Sequence, residues 1–227
     1  MWQPYRGDDG RNGPGGLADW VQRLPSIWKA LAVCVLLIVI AAVLLFAPRN
    51  KPTTVPLPAY SPGILTNGDF AKPIIAASTQ YEPIPAGSTA IPGWTVGGGG
   101  VEAYASSYMQ HPPDASTEIR LFDNGPGSIR QTVTTIPGEK YVLKWEGAGE
   151  SGGGQPDKIM HVFWDGKLVA APIFDTSGYS LTDVAWEALQ VTVTAASPTS
   201  TVVFADATPD KSYWGSMVGA ASLHASS

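Results

Sequence analysis

The chain has 227 residues, with 14 Lys and Arg against 19 Asp and Glu, and a single cysteine, Cys34. One cysteine excludes an intramolecular disulfide framework as the source of stability. The acidic balance, without basic clusters, excludes a nucleic-acid-binding surface, because contacts to phosphates require Lys and Arg.

Residues 1–27 are predicted to form a disordered or juxtamembrane tail, because they are rich in Gly, Asp, Asn, Arg and Pro. Within this tail a short interfacial helix is an alternative to an unstructured segment, with Trp20 and Trp28 at the level of the lipid headgroups. The residues that fall at helical spacing are Leu17, Trp20, Val21 and Leu24.

The next segment is a continuous apolar run, residues 30–47, without a charge. As a helix it reaches about 27 Å, close to the roughly 30 Å hydrocarbon core of a bilayer. Its hydrophobicity has no single face, and nothing near it in the sequence could enclose it as a buried core helix. The sequence therefore predicts a transmembrane helix over residues 28–47 and a lipid bilayer as its surroundings.

The flanking charges set the expected orientation of that helix. Four Lys and Arg precede the apolar run and two follow it, which places the N-terminus in the cytoplasm and the remainder outside. A cleaved signal peptide is the main alternative, but Pro48 directly follows Ala47, the one small-residue cleavage candidate. We expect an uncleaved signal anchor and a single-pass protein of the plasma membrane.

Residues 48–63 form a proline-rich linker, with five prolines expected to favour an extended, semi-rigid spacer. The chain contains no Asn-x-Ser/Thr glycosylation acceptor and is rich in Gly, Pro, Ala and Thr. This composition leans towards a bacterial source, a Gram-positive cell.

Residues 64–227 show short β-type runs broken by Gly, Pro, Asn and Asp, and no convincing helical period. Asp165-Gly166 between two such runs predicts a β-hairpin. The pattern predicts an extracellular all-β domain, a sandwich or jelly roll. The predicted strands are Ser128–Thr135, Tyr141–Trp145, Ile159–Trp164, Lys167–Ile173, Trp186–Ala195 and Thr201–Ala205.

Five short motifs of this region occur in a characteristic order, and the series resembles the DUF642-like or choice-of-anchor domains of the galactose-binding-like β-sandwich superfamily. The resemblance implies a jelly-roll β-sandwich over residues 64–224 and a glycan as ligand. Each motif also has a structural interpretation, such as a turn at Asn67-Gly68 or a buried Trp94. The motifs are Leu65–Phe70, Ile91–Trp94, Gly98–Glu102, Gly125–Thr132 and Pro137–Tyr141.

Two departures from the family pattern concern a structural calcium ion. Related domains have an acidic residue where this chain has Ala71, and an Asp-Asn pair where it has Gly219-Ala220. Ala and Gly side chains supply no oxygen ligands, which calcium requires. We therefore expect the calcium site of the superfamily to be degraded, and no cofactor.

The residues of the domain suggest no catalytic site. Its three histidines, His111, His161 and His224, fit no metal-binding spacing, and no Gly-x-Ser-x-Gly nucleophile elbow is present. Triads and carboxylate pairs form in space rather than in sequence, so a hydrolase remains a third and weaker alternative. We predict that the protein is not an enzyme.

The resemblance implies that a sugar would stack on Tyr or Trp, with neighbouring charged side chains bonding its hydroxyls. For any one aromatic taken alone, burial in the core is the more common role. The candidate aromatic residues are Tyr104, Tyr108, Trp164 and Trp214, and the candidate polar partners are Glu102, Arg120 and Asp123.

The sequence leads to two hypotheses on function. The first is a membrane-anchored, extracellular, non-catalytic carbohydrate-binding module that contacts cell-wall or other surface polysaccharide. The alternative is a protein-interaction or assembly module on the same scaffold, with a protein partner in place of the glycan.

Overall fold

The computed structural model describes residues 61–105, 107–209 and 214–226. These residues contain no helix long and apolar enough to cross a membrane. The predicted tail, transmembrane helix and most of the linker lie outside the described residues, so those predictions stay predictions.

Twelve β-strands make up the secondary structure of the described residues. They pair into two antiparallel sheets that enclose one hydrophobic core, which confirms the predicted all-β sandwich. The strands are β1 Tyr81–Ile84, β2 Thr95–Gly98, β3 Val101–Tyr104, β4 Ile119–Arg120, β5 Gly127–Thr134, β6 Lys140–Gly149, β7 Asp157–Trp164, β8 Lys167–Ala170, β9 Ile173–Asp175, β10 Glu187–Thr194, β11 Thr199–Asp206 and β12 Ser216–Ala225.

Sheet 1 has the strand order β1-β3-β4-β12-β6-β10, and sheet 2 the order β2-β5-β11-β7-β8, with β9 paired to β7. The last strand, β12, lies at the centre of sheet 1, between β4 and β6. The start of the domain joins it there, since Ile64 N donates to Leu223 O at 3.0 Å and Ala221 N donates to Gly68 O at 2.7 Å. Both ends of the domain are thus fixed at the same strand.

Alternating side chains build the core between the sheets. In β5, Ile129, Gln131 and Val133 point inward, in keeping with their alternate positions in the predicted strand Ser128–Thr135. Gln131 is buried because its amide exchanges two hydrogen bonds with the backbone of Thr66, at 2.7 and 2.9 Å. Trp94 is fully buried, and its indole N–H donates to the carbonyl of Asn67.

The predicted hairpin forms, since Trp164 pairs with Lys167 across Asp165-Gly166. Both turn residues have positive φ, 50° and 79°, which a two-residue turn matched to the twist of the strands requires. The predicted single strand over Lys167–Ile173 is wrong, because the structure divides it into β8 and β9. Pro172 lies at the break, where it has no N–H to donate to the ladder.

Candidate functional site

The outer face of sheet 1 is the unusual surface of this domain. In β6, Tyr141, Leu143 and Trp145 point into the core, so Glu146 and Ala148 point outward. An outward face of a sandwich normally meets water, yet both of these residues are buried. Loop 105–117 and loop 176–186 lie over this face, which we call the covered face.

An apolar cluster holds the two loops on the sheet. It contains Met109 from the first loop, Val184 from the second, and Ala148 and Met217 from β6 and β12. Each Å² of apolar surface that these side chains remove from water stabilises the contact by roughly 25 cal/mol.

Gln110 joins the two loops directly. Its backbone N–H donates to Leu181 O at 2.9 Å, and its side-chain Oε1 accepts from Val184 N at 2.7 Å. Its carbonyl accepts from the indole N–H of Trp186 at 2.9 Å. Three hydrogen bonds at one residue therefore fix loop 105–117 against loop 176–186.

Strand register brings charged residues together under these loops. Glu102 on β3 lies opposite Arg120 on β4, and Arg120 lies opposite Met217 on β12. Tyr104 follows Glu102 by two residues and so shares its face. Glu150, directly after β6, completes the group, and its backbone N–H donates to Gly215 O.

Arg120 binds both carboxylates. Its Nη2 contacts Glu102 Oε2, and its Nη1 lies 2.7 Å from Glu150 Oε2. The Tyr104 hydroxyl lies 3.0 Å from Glu102 Oε2 and 3.1 Å from Glu150 Oε1. All four side chains are buried. We call them the Arg120 network.

Burial sets the protonation of this network. Burial raises the pKa of Glu150, and the Arg120 cation counteracts that effect. Burial also raises the pKa of Tyr104, and the nearby Glu150 carboxylate adds to the increase. Burial disfavours the Arg120 cation, but Glu150, Tyr104 and Glu102 more than offset this and raise its pKa.

Three tyrosines lie above the network. Tyr104 is 2% exposed, and Tyr108 stacks on it with ring centroids 5.6 Å apart and an interplanar angle of 9°. Tyr81, which lies opposite Tyr104 across the β1–β3 ladder, contacts it at 5.7 Å and is 42% exposed. The guanidinium Cζ of Arg120 lies 5.6 Å from the centre of the Tyr104 ring, in cation–π range. We call Tyr81, Tyr104 and Tyr108 the tyrosine cluster.

A second polar group lies beside the first on the covered face. His111 Nδ1 contacts Glu118 Oε2, and Glu118 is fully buried. Burial raises the pKa of Glu118, and His111 counteracts it. Glu146 accepts a long hydrogen bond, 3.4 Å, from the backbone N–H of Asp114, and burial raises the pKa of Glu146 to about 7.

The structure brings together four of the seven predicted ligand-binding residues. Tyr104, Tyr108, Glu102 and Arg120 all belong to the tyrosine cluster or the Arg120 network. Whether they bind a sugar stays a prediction, but their convergence on one face is a finding of the structure.

The other three lie elsewhere. Trp164 occupies an inward position of β7, where its ring packs near Tyr141 and its N–H donates to Thr194 O, so it offers no exposed face to a sugar. Trp214 is half-buried and packs over the Gly152-Gly153 backbone. Asp123 lies in the turn after β4 and accepts from Asn124 Nδ2 at 2.9 Å.

Sequence reasoning missed several residues of the covered face. The alternation of Glu146, Ala148 and Glu150 along one side of a strand could have indicated a set of outward carboxylates. No comparable signal marks Tyr81, His111 or Gln110, because their contacts come from distant parts of the chain.

The segments where the resemblance implies a calcium site form local contacts of their own. Asp69 Oδ1 accepts from the Ala71 N–H at 3.3 Å, and Gly219 leaves room for Pro112 of loop 105–117, whose Cγ lies 2.3 Å from where a Cβ would stand. Among the described residues no three His, Cys, Asp or Glu side chains are placed to hold a metal ion. The predicted loss of calcium stays a prediction.

A pocket of about 190 Å³ lies between residues 71–75 and residues 116–117, at the end of loop 105–117. Its walls carry no charged and no aromatic side chain, which makes it a weaker candidate than the tyrosine cluster. The lining residues are Ala71, Pro73, Ile74, Ile75, Ser116 and Thr117.

A family model described as "Protein of unknown function (DUF642)" matches residues 63–223. The chain belongs to the DUF642 family. The match covers every strand of the β-sandwich except the last two residues of β12, and it agrees with the predicted family.

One curated relative of this DUF642 protein is halomucin from Haloquadratum walsbyi, 29% identical over 177 residues. The match covers 74% of this chain but 2% of halomucin.

Solved structures overlap partly with this DUF642 chain. A family 35 carbohydrate-binding module from Clostridium thermocellum has a TM-score of 0.42 and 14% identity, over 64% of this chain and 99% of the module. TmCBM61, solved with β-1,4-galactotriose, has a TM-score of 0.41 and 15% identity, over 73% of this chain and 100% of its own. The fold of this domain rests on its own strand pairing.

Proposed function

We propose that this DUF642 domain is a non-catalytic carbohydrate-binding module, and that its tyrosine cluster is the binding surface. The observation that carries the proposal is the stacked pair Tyr104–Tyr108, with the exposed Tyr81 beside it and the Arg120 network beneath. Flat aromatic rings present large apolar faces, and the C–H faces of sugar rings fit such surfaces. The remaining exposed ring surface of Tyr81 and Tyr108 is what a glycan would cover.

The Arg120 network supports this surface from below. Its charged side chains, Glu102, Arg120 and Glu150, are almost inaccessible to solvent, so they fix the ring of Tyr104 rather than contact a ligand themselves. A binding surface whose residues are held in place before the ligand arrives loses less conformational entropy on binding. Loop 105–117, fixed through Gln110, holds Tyr108 in the same way.

The same geometry argues against glycoside hydrolysis by Glu102 and Glu150. Both carboxylates bond to Arg120 and to the Tyr104 hydroxyl, and both are covered. A catalytic acid and its partner must flank the scissile bond in contact with the sugar. Binding without catalysis is the function that this arrangement supports.

In the full chain, the predicted membrane helix over residues 28–47 and the linker over residues 48–63 would hold the module outside the cell. We propose cell-wall or other surface polysaccharide as the target, because an extracellular module on a spacer can reach it. Dependence of glycan capture by intact cells on residues 48–63 would test this part.

The binding surface is tested with the purified full-length chain in a fixed detergent. It is titrated against a panel of soluble oligosaccharides and incubated with insoluble polysaccharides. Tyr108→Ala should weaken binding about 10- to 30-fold, as expected for a central aromatic contact.

Tyr179→Ala is the control, because Tyr179 is an exposed tyrosine (46%, against 42% for Tyr81) that lies in loop 176–186 and does not belong to the tyrosine cluster. It should leave the affinity unchanged within twofold. No binding to any member of the panel, or equal losses for Tyr108→Ala and Tyr179→Ala, would reject the proposal. A dominant protein partner on cross-linking, together with no glycan binding, would favour the alternative interaction module.

A further inference from the structure

The covered face carries more negative than positive charge. Carboxylates reach it from strands β3 and β6, from the residues directly before β4 and directly after β6, and from loop 105–117, whereas Arg120 is the permanent cation among them. Lys144 also faces outward from β6, but it is exposed and lies two residues before Glu146. The carboxylates are Glu102, Glu118, Glu146, Glu150 and Asp114.

The pairing of these groups leaves an excess of negative charge. Arg120 neutralises one of the two carboxylates that it binds, Glu102 and Glu150. His111 and Glu118 are neutral as a pair when they share one proton. Glu146 and Asp114 add one to two negative charges, depending on the protonation of Glu146, whose pKa lies at about 7. The five carboxylates on this face outnumber its basic side chains, so the face carries an excess of negative charge.

Burial makes this charge effective at the surface above it. Salt ions screen exposed charges over about 10 Å at 0.1 M ionic strength, but they screen buried charges much less. Glu102 and Glu150 both lie within 3.1 Å of the Tyr104 hydroxyl, and Tyr108 stacks on the Tyr104 ring. A sugar on Tyr108 would lie on the order of 10 Å from these carboxylates, where the field remains strong.

We propose that the tyrosine cluster accepts neutral or amine-bearing glycans and rejects polyanionic ones, an inference that rests on the proposed function. Stacking on tyrosine does not depend on the charge of a sugar, so stacking alone would not discriminate between neutral and anionic glycans. The excess negative charge supplies the repulsive element that specificity requires. A uronic-acid or phosphate-bearing polymer would meet repulsion at every unit near the cluster, whereas an amino sugar would be attracted.

The test uses pairs of oligosaccharides that share a backbone and differ in charge, titrated into the full-length chain at pH 7. One pair is methyl-esterified and de-esterified oligogalacturonide, and the other is the acetylated and deacetylated glucosamine hexamer. In each pair the more negative member should bind more weakly, by about fivefold for each charge next to the cluster at low ionic strength. At 1 M salt, where the screening length is about 3 Å, the difference should fall below twofold.

Glu102→Gln removes one charge and keeps the shape of the side chain. It should move the affinity ratio of the de-esterified to the esterified ligand at least twofold towards unity. Glu139→Gln is the matched control, since Glu139 lies next to the far end of β6, about 36 Å from Glu150 along the strand, and it should not change the ratio.

The outcomes separate this inference from the proposed function. A lower affinity for the anionic member, abolished by salt, supports the charge selection even where Glu102→Gln fails to fold. Equal or tighter binding of the anionic member overturns the selection and leaves carbohydrate binding intact. Absence of binding to all four ligands and to the wider panel overturns both.

Discussion

Replacement of Arg120 by methionine is the sharpest test of the Arg120 network. The guanidinium bonds to Glu102 and Glu150, and all three groups are buried. Arg120→Met keeps much of the aliphatic length but leaves two buried carboxylates without their cation. Removal of one partner from a buried ion pair costs about 3–5 kcal/mol, because the remaining charge stays desolvated.

That cost is a large part of the stability of a domain of this size, which is about 5–15 kcal/mol. The melting temperature should fall by about 6–20 °C, at about 2–4 °C for each kcal/mol. Without Arg120, whose charge counteracts the effect of burial, the folded-state pKa of Glu150 rises further above its unfolded value. A raised pKa gives stability that is present at low pH and lost as the pH rises, so the variant should approach the wild type near pH 4 and differ most at pH 7 and above.

The free energy of unfolding is measured by urea titration of the full chain, followed by tryptophan fluorescence at pH 4, 5.5 and 7. Arg130→Met is the matched control, since Arg130 is exposed on β5, and it should change stability by less than about 0.5 kcal/mol. A loss below about 1 kcal/mol for Arg120→Met at pH 7, or a loss that does not shrink towards pH 4, would show that the network does not stabilise the fold in this way.

Three further changes probe the covered face. Tyr104→Phe keeps the ring but removes the hydroxyl between two carboxylates, so thermal unfolding should show a loss of about 1.5–3 kcal/mol with the far-UV spectrum unchanged; no loss would mean that the hydroxyl is dispensable. Burial raises the pKa of Glu146 from its ordinary value of 4.5 to about 7, so wild-type stability should fall between these two pH values, by about 1–3 kcal/mol, and Glu146→Gln should remove that fall. An unchanged pH profile in Glu146→Gln would assign the titration to another group. Gly219→Ala places a Cβ 2.3 Å from Pro112 Cγ and should cost about 1–3 kcal/mol in urea unfolding. Gly125→Ala, with its nearest neighbour at 4.0 Å, is the control, and equal effects of the two changes would contradict the packing argument.

Local sequence signals predicted the fold class, but they did not predict the short strands. Alternation predicts β5 and β10, β-type runs predict β7 and β11, and Asp165-Gly166 predicts the hairpin, because side-chain direction and turn geometry depend on neighbouring residues alone. The strands β1 to β4 have two to four residues each, too few to show a period. The last strand, β12, is rich in small residues, Gly and Ala among them, and so carries weak β-propensity although it lies at the centre of sheet 1.

The candidate site was predictable in part. Tyr104, Tyr108, Glu102 and Arg120 were identified as residues of the right chemistry, and strand register brings them together. Trp164, next to the Asp165-Gly166 turn, was an equally suitable candidate for stacking on a sugar from its sequence position. Its inward position on β7 buries it in the core, and the half-buried Trp214 lies over a glycine loop instead.

The sequence alone determined the β-rich character of residues 64–227, the family and the acidic balance, because composition, turn chemistry and alternation are properties of neighbouring residues. Only the tertiary structure decided that the outer face of sheet 1 is covered. Two loops separated by some sixty residues meet there through Gln110 and an apolar cluster. Because of that contact, the outward glutamates and Arg120 are buried as a network, and Tyr108 stacks on Tyr104. Burial and pairing of this kind depend on which distant segments pack together, and neighbouring residues do not determine that.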